Sequence, residues 1–448
     1  MVMKNKGFTY IALVILHVLL GLAFFLLPFL SKIYAVLIPV IGAIFVFKNK
    51  NKNNEVLFVS AYLIGGEVLL RMTGGNLNNE YVKFLVVFFM LCGMIFSNLS
   101  KNALIYLPFI LLLLPAVLIT TETANFSIDI RKVLVFNLSG PICLAVSAMY
   151  MFDRKIMFDK LQNLLQTLGF PIITTTVYLF LYTPSIKEVV TGTQSNFATS
   201  GGFGPNQVST ILGLGIFVFF TQLVLFSKSK RDIFINGGLL LFISYRGIVT
   251  FSRGGVFTAI AMIVCLLTVV YYFSNARGKS KFVLVFILTC LMSIAIWTYS
   301  SLQTNGLIGK RYANKDARGR EKKDRLGGRE EVMNAEIDLF LNDPILGVGV
   351  GMSKYKRVEV LGEEVASHSE VTRLISEHGL FGIFAFLIIS ITPFVLFINN
   401  KQHLYFLSFI IFWILTINHA AMRLAAPAFV YALSLLYVQI KIPEETEN

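Results

Sequence analysis

Arginines and one histidine carry most of the chemistry that this chain can offer. Arg253 stands in the segment Phe251–Gly255, FSRGG, and Arg246 lies seven residues earlier inside an apolar run. At helical spacing the two share a face. An arginine within an apolar run is costly and marks either a functional site or a structural ion pair, for which Glu67 is the expected partner of Arg246. For Arg253 the plain alternative is a snorkelling anchor. Guanidinium groups stay charged at any relevant pH and bind phosphate oxygens bidentately, so two of them near one membrane face suit a lipid diphosphate. Arg329 follows Gly327-Gly328 and opens an amphipathic stretch. There the free N–H groups and dipole of a helix start would add to an anion site, although spacing alone does not separate Arg329 from its basic neighbours. His368 lies close to Glu370 and Arg373 at a loop-to-helix junction. Its imidazole is suited to accept a proton near neutral pH, and an ordinary polar helix start is the alternative. Glu370, Arg373 and Glu377 fall at i, i+3 and i+7 and form a charged stripe where that helix leaves the membrane.

The motifs that are missing narrow the chemistry. The chain has no DxD motif and no outer cluster of carboxylates, and no HExxH, GxSxG or P-loop. No metal and no cofactor are therefore expected, and ATP-driven transport and hydrolase chemistry are disfavoured. Cys92, Cys143, Cys265 and Cys290 all lie in apolar runs without CxxC spacing and read as small buried hydrophobes. His17, His403 and His419 lie in or beside apolar runs and read as packing or interface residues.

The elements that must position these residues are membrane helices. Of 448 residues, 56% are hydrophobic and 14% charged, against roughly 25% charged in a soluble chain. Mean hydropathy is +0.72. The composition predicts an all-α, polytopic transmembrane helix bundle. Candidate spans lie near 8–29, 33–47, 55–71, 82–98, 102–120, 132–151, 161–183, 207–227, 232–250, 255–274, 282–301, 379–398, 403–419 and 425–441. The second is short and open to a re-entrant reading, so about 12 to 14 spans are expected. The first run shows no cleavage site and reads as a retained span.

The net charge of +14 resides mostly in short loops: Lys4 and Lys6, Lys48 to Lys52, Arg154 and Lys155, Lys228 to Arg231, Arg277 to Lys281, and Lys401. All fall on one side under the fourteen-span count. That side, with both termini, is expected to be cytoplasmic, and nucleic-acid binding is not expected. The opposite side carries the loop 184–206, the turn at Ser252–Gly255 and a large loop. The expected organisation is N-terminal transmembrane helices over 1–301, a large loop with short helices on that opposite side over 302–371, and C-terminal transmembrane helices over 372–448. Within the loop a helix is expected with Val332, Ala335, Leu339 and Phe340 on one face, ended by Asn342-Asp343-Pro344. Gly347, Gly349 and Gly351 predict a flexible turn after it.

Four segments, in order and on one membrane side, resemble the O-antigen ligase and Wzy-type polymerase family of bacterial envelope glycosyltransferases. They are GGFGPNQ at 201–207, FSRGG at 251–255, the glycine-arginine, amphipathic helix and NDPILGVGVG of 328–351, and ASHSEVTRLISEHGLFG at 366–382. The resemblance covers about Gly201 to Gly382. It implies that Arg253, Arg329 and His368 are the catalytic residues; Arg246, Asn206, Arg373 and Glu377 are expected to bind substrate. Ser369 departs from the asparagine often found after the histidine. The resemblance further implies a glycan donor on undecaprenyl diphosphate, displayed at the periplasmic face of the inner membrane. An acceptor sugar hydroxyl, on lipid A–core for a ligase or on a second lipid-linked glycan for a polymerase, attacks the anomeric carbon with inversion. The ligase reading is slightly preferred. A secondary transporter or flippase is the rival class, and a protein glycosyltransferase with a Ser or Thr acceptor is a third reading.

Overall fold

A computed structural model of the chain describes residues 9–322, 328–358, 362, 364–365, 367–420 and 422–440. Lys4, Lys6, Gly327 and Ala366, named above, lie outside the described residues, as do the side chains of Arg277 and Lys281. Each of the fourteen apolar runs forms a helix: α1 (Tyr10–Leu26), α2 (Leu30–Asn49), α3 (Glu55–Met72), α4 (Tyr81–Phe96), α5 (Tyr106–Thr123), α6 (Ile130–Met151), α7 (Phe158–Tyr182), α8 (Pro205–Thr221), α9 (Lys230–Val249), α10 (Arg253–Phe273), α11 (Ala276–Gln303), then, after the large loop, α14 (Glu370–Asn399), α15 (Phe406–Ile417) and α16 (Ala426–Leu433). The large loop contributes α12 (Leu307–Tyr312) and α13 (Arg329–Asn342).

Among the described residues nine helices are long and apolar enough to cross a membrane; α1, α4 and α15 are apolar but shorter. The fold is thus the all-α polytopic bundle expected. The second run is not a short re-entrant segment, because α2 extends over 20 residues, a full crossing length. The last run is shorter than predicted: α16 has eight residues and gives way to a strand, β2 (Tyr437–Gln439), which pairs in parallel with β1 (Lys155–Met157).

Helices α3, α7 and α8 form the centre, where almost every residue of α8 is buried. Close approach there rests on glycine. A Cβ on Gly65 would lie 2.2 Å from the Leu168 carbonyl oxygen, and one on Gly213 2.2 Å from that of Gly255. At the periphery, α2 and α11 turn large apolar side chains such as Ile44, Phe45, Leu284 and Ile294 outward, as lipid-facing helices do.

The helix ends gather into two sets. Asn51 donates to the Tyr150 hydroxyl, Arg154 to the Asn98 carbonyl, and the Tyr437 N–H to the Arg154 carbonyl, which unites the basic loops 48–54 and 152–157 with the C-terminal strand. The other set holds the loops 184–204 and 250–252 and the described residues of the large loop and of the turn after α15: the Asn196 N–H donates to the Thr250 carbonyl, Arg311 to the Phe251 carbonyl and Arg423 to the Ser367 carbonyl. The long apolar helix before the large loop ends at Gln303, and the next one starts at Glu370.

The segment 343–352 departs from expectation. It is not a flexible turn: residues 347–352 form a buried wedge, while 343–346 stay exposed. Gly347, Gly349 and Gly351 have φ of 72°, 97° and 72°, and a Cβ on Gly347 would lie 2.4 Å from the Glu377 carbonyl carbon. The N–H groups of Val348 and Gly349 donate to the carbonyls of Ser376 and Glu377, and that of Val350 to Ala116 of α5. Ala116 lies seven residues inside the end of α5, about 10 Å down the helix. Helix α14 breaks to receive the wedge: Gly379 has φ 60° and ψ −139°, and the Leu380 N–H donates to the Pro344 carbonyl. Irregular backbone at that depth is tolerated because protein, not lipid, surrounds it.

Candidate functional site

Arg253 is the first residue of α10, and its place follows from the residues around it. Gly254 and Gly255 allow α10 to start against its neighbours: a Cβ on Gly255 would lie 1.9 Å from the Ser209 carbonyl oxygen, and one on Gly254 2.3 Å from the His419 ring. Asn206 accepts a hydrogen bond from the Ser252 hydroxyl at 2.8 Å, and Ser209 donates to the Ser252 carbonyl at 2.8 Å. The two glycine-bearing segments of the sequence, 201–207 and 251–255, therefore brace each other. Phe251, at φ 58°, turns the chain between α9 and α10 and buries its ring with Val249, Val256 and Ile308. Because of this turn Arg246 and Arg253 do not share one helix face.

Arg311 of α12 completes that corner. It donates to the Phe251 carbonyl at 3.0 Å, and Arg253 donates to the Arg311 carbonyl at 3.3 Å. Arg329 opens α13 behind Gly328, which turns the chain into the helix at φ 76°. A buried ion pair docks α13: Glu336 accepts from Arg357 at 2.5 Å and from Thr372 at 2.5 Å. Val332 and Ala335 are buried beside it, whereas Leu339 and Phe340 are only half-buried.

Electrostatics tie these groups into one cluster. Burial, then the Arg253 charge, holds the Arg329 guanidinium below its ordinary value. Burial, then Arg253 and Arg329, does the same to Arg311. The His368 imidazole is pushed down to about 4 by burial and by the charges of Arg423, Arg329 and His419. It is therefore neutral near pH 7, and its Nδ1 has no hydrogen-bond partner among the described residues. His419, also pushed down to about 4 by burial first, bonds Thr210 and the Leu415 carbonyl. The structure thus brings Arg253, Arg329 and His368 together.

It adds residues that sequence reasoning missed: Arg311, Arg423 and His419. Arg311 is lost among basic neighbours in the loop. Arg423 carried a signal, as the one arginine of a short connection on the side where the positive-inside pattern thins cations. Arg253, Arg311, Arg329 and Arg423 are only half-buried, so their guanidinium groups remain reachable.

Other expected site residues are placed differently. Arg246 is fully buried and spends its guanidinium on the carbonyls of Leu179, Thr199 and Thr183, at 2.9, 3.1 and 3.2 Å. It is a brace for the 184–204 loop. Glu67 is not its partner; that carboxylate pairs with Arg71 at 2.7 Å and accepts from the Ala425 N–H. Arg373 is buried between Glu370 and Glu377, bonding Glu377 at 2.7 Å and Asn137 at 3.2 Å. Ser369 caps α14 by accepting from the Thr372 N–H, which gives the departure from asparagine a structural role. Beside the cluster lies a cavity of about 940 Å³ between α4, α6 and α14, with Arg373, Glu377 and Arg423 in its wall.

Fold and site together define a multi-pass helical membrane protein with a cationic pocket and a neutral histidine at one end. Residues 238–387, about a third of the chain, match the family model described as O-Antigen ligase. The resemblance read from the motifs holds over that segment, and it supports an enzyme that acts on lipid-linked glycans. No curated protein matches the chain. The matched segment includes Arg253, Arg329 and His368; Asn206 and Arg423 lie outside it.

Proposed function

We propose that this protein is a glycosyltransferase of the bacterial inner membrane. It moves a glycan from undecaprenyl diphosphate to an acceptor sugar hydroxyl at the periplasmic face, and the ligase reaction on lipid A–core is preferred to polymerisation. The observation that carries this reading is the meeting of Arg253, Arg329 and His368, from three separate segments, at the end opposite the basic loops. The acceptor oxygen bonds to the anomeric carbon as the bond to the diphosphate oxygen breaks, with inversion. The electron pair leaves on the diphosphate, whose charge Arg253 and Arg329 stabilise without a metal. The hydroxyl proton passes to His368. Before the donor binds, burial and the arginine charges hold His368 at about 4. The diphosphate neutralises those charges and raises the basicity of the imidazole where it is needed. Arg373 and Glu377 face the acceptor side, Asn206 holds the turn that carries Arg253, and Arg246 braces the 184–204 loop. Arg253, Arg329 and His368 lie at helix starts and in loops at one end of the bundle, which favours a transferase over a transporter.

The test is transfer by the purified full-length protein in EDTA, with an undecaprenyl-diphosphate glycan as donor and lipid A–core or a second lipid-linked glycan as acceptor. Glycan on lipid A–core identifies a ligase, and longer lipid-linked chains a polymerase. His368→Ala is expected to lower the rate by about 100-fold or more. Unimpaired transfer by His368→Ala would refute the base, and no product from folded protein with either acceptor would refute the function.

A further inference from the structure

The geometry points to a second lipid site: the cavity beside the arginine cluster binds the acceptor, as an amphiphile with a phosphate-bearing head. The acceptor role rests on the transferase reading above; the chemistry of the cavity does not. One wall is apolar and faces outward, formed by Phe84 of α4 and by Val135 and Phe136 of α6, all exposed near the helix starts. In a bilayer such side chains meet lipid, so the cavity opens sideways to acyl or prenyl chains.

The opposite lining is charged, and its carboxylates are already engaged. Glu370 and Glu377 are held by Arg373, Glu80 by Lys83, and Asp129 accepts from the Lys132 N–H as a helix cap. Arg131, Lys132 and Arg423 have no carboxylate within ion-pair distance among the described residues. An apolar flank with surplus cations selects an anionic amphiphile, since a neutral head leaves those cations unmatched. About 940 Å³ admits a phosphosugar head, while the chains stay in lipid.

Arg423 joins the two sites. It lines the cavity, donates to the Ser367 carbonyl at 3.0 Å, and acts on the adjacent His368. A head anchored at Arg131 and Lys132 can extend past Arg423 and present its hydroxyl to His368.

The test compares wild type with Arg131→Gln/Lys132→Gln in lipid nanodiscs, varying donor and acceptor in turn. Two acceptors are used, a polyprenyl-diphosphate glycan and a phosphorylated glycolipid. The acceptor KM is expected to rise about tenfold for at least one of them, which identifies the source, while kcat and the donor KM stay within about twofold. Unchanged KM for both acceptors, or a rise in the donor KM instead, would overturn the inference. Farnesyl diphosphate, titrated against a fluorophore on Val135→Cys, reads the cavity without turnover. About tenfold weaker binding in the double variant supports the site even where no transfer occurs, and equal binding overturns it. Loss of the transferase reading and loss of this site are thereby separable.

Discussion

At the scale of single residues, the neutrality of His368 is the feature with the clearest consequence. A base works only above its pKa, and this imidazole is held at about 4 by burial and neighbouring arginines. In the free enzyme, kcat/KM should therefore stay flat from neutral pH down to about pH 5 and fall near 4, not near the 6.5 of an ordinary histidine. The limb in kcat should lie higher, because bound diphosphate offsets the arginine charges. Arg423→Gln removes one positive neighbour and should move the kcat/KM limb upward. A pH–rate profile of both proteins is the check, and an acid limb at the ordinary histidine value in wild type would contradict the assignment. Residue types and spacing made Arg253 and His368 visible in the sequence because each stands out from its surroundings. Arg311 did not, since only the fold singles it out from the basic loop by seating it on the Phe251 carbonyl.

At the scale of elements, two devices position the cluster, and the sequence showed them unequally. The glycine segments 201–207 and 251–255 were legible as motifs, and their partnership through Asn206, Ser209 and Ser252 required the structure. The three glycines of 347–351 signalled a turn, but the sequence could not say that α14 would break at Gly379 to admit it. That break depends on contacts between segments, which local pattern does not encode. The docking of α13 was hidden for the same reason: Glu336 and Arg357 look like surface charges until both are buried. Glu336→Gln leaves the Arg357 charge without its partner, at a cost of about 3–5 kcal/mol. The thermal unfolding midpoint should fall, and transfer should fall with it, because α13 carries Arg329. A variant with unchanged stability and transfer would show that this pair does not hold the helix.

At the scale of the whole molecule, periodicity and length were enough to locate the helices of all fourteen apolar runs, because each run has to satisfy its backbone internally. Their ends were less legible. Loop contacts between β1 and β2 shorten the last run, and α2 proves long enough to cross. What the fold adds is convergence. Arg253 and Arg329 are separated by α10, α11 and α12, yet the Arg253 charge acts on the Arg329 guanidinium. The central claim is that both serve one leaving diphosphate. A double-mutant cycle on kcat/KM for transfer tests it most directly, with Arg253→Gln, Arg329→Gln and the double variant, each verified as folded by its thermal midpoint. Each single change should cost about 100-fold, and the pair far less than the product of the two, as for groups that work as a unit. Multiplicative losses, or a full rate in either single variant, would contradict a shared site.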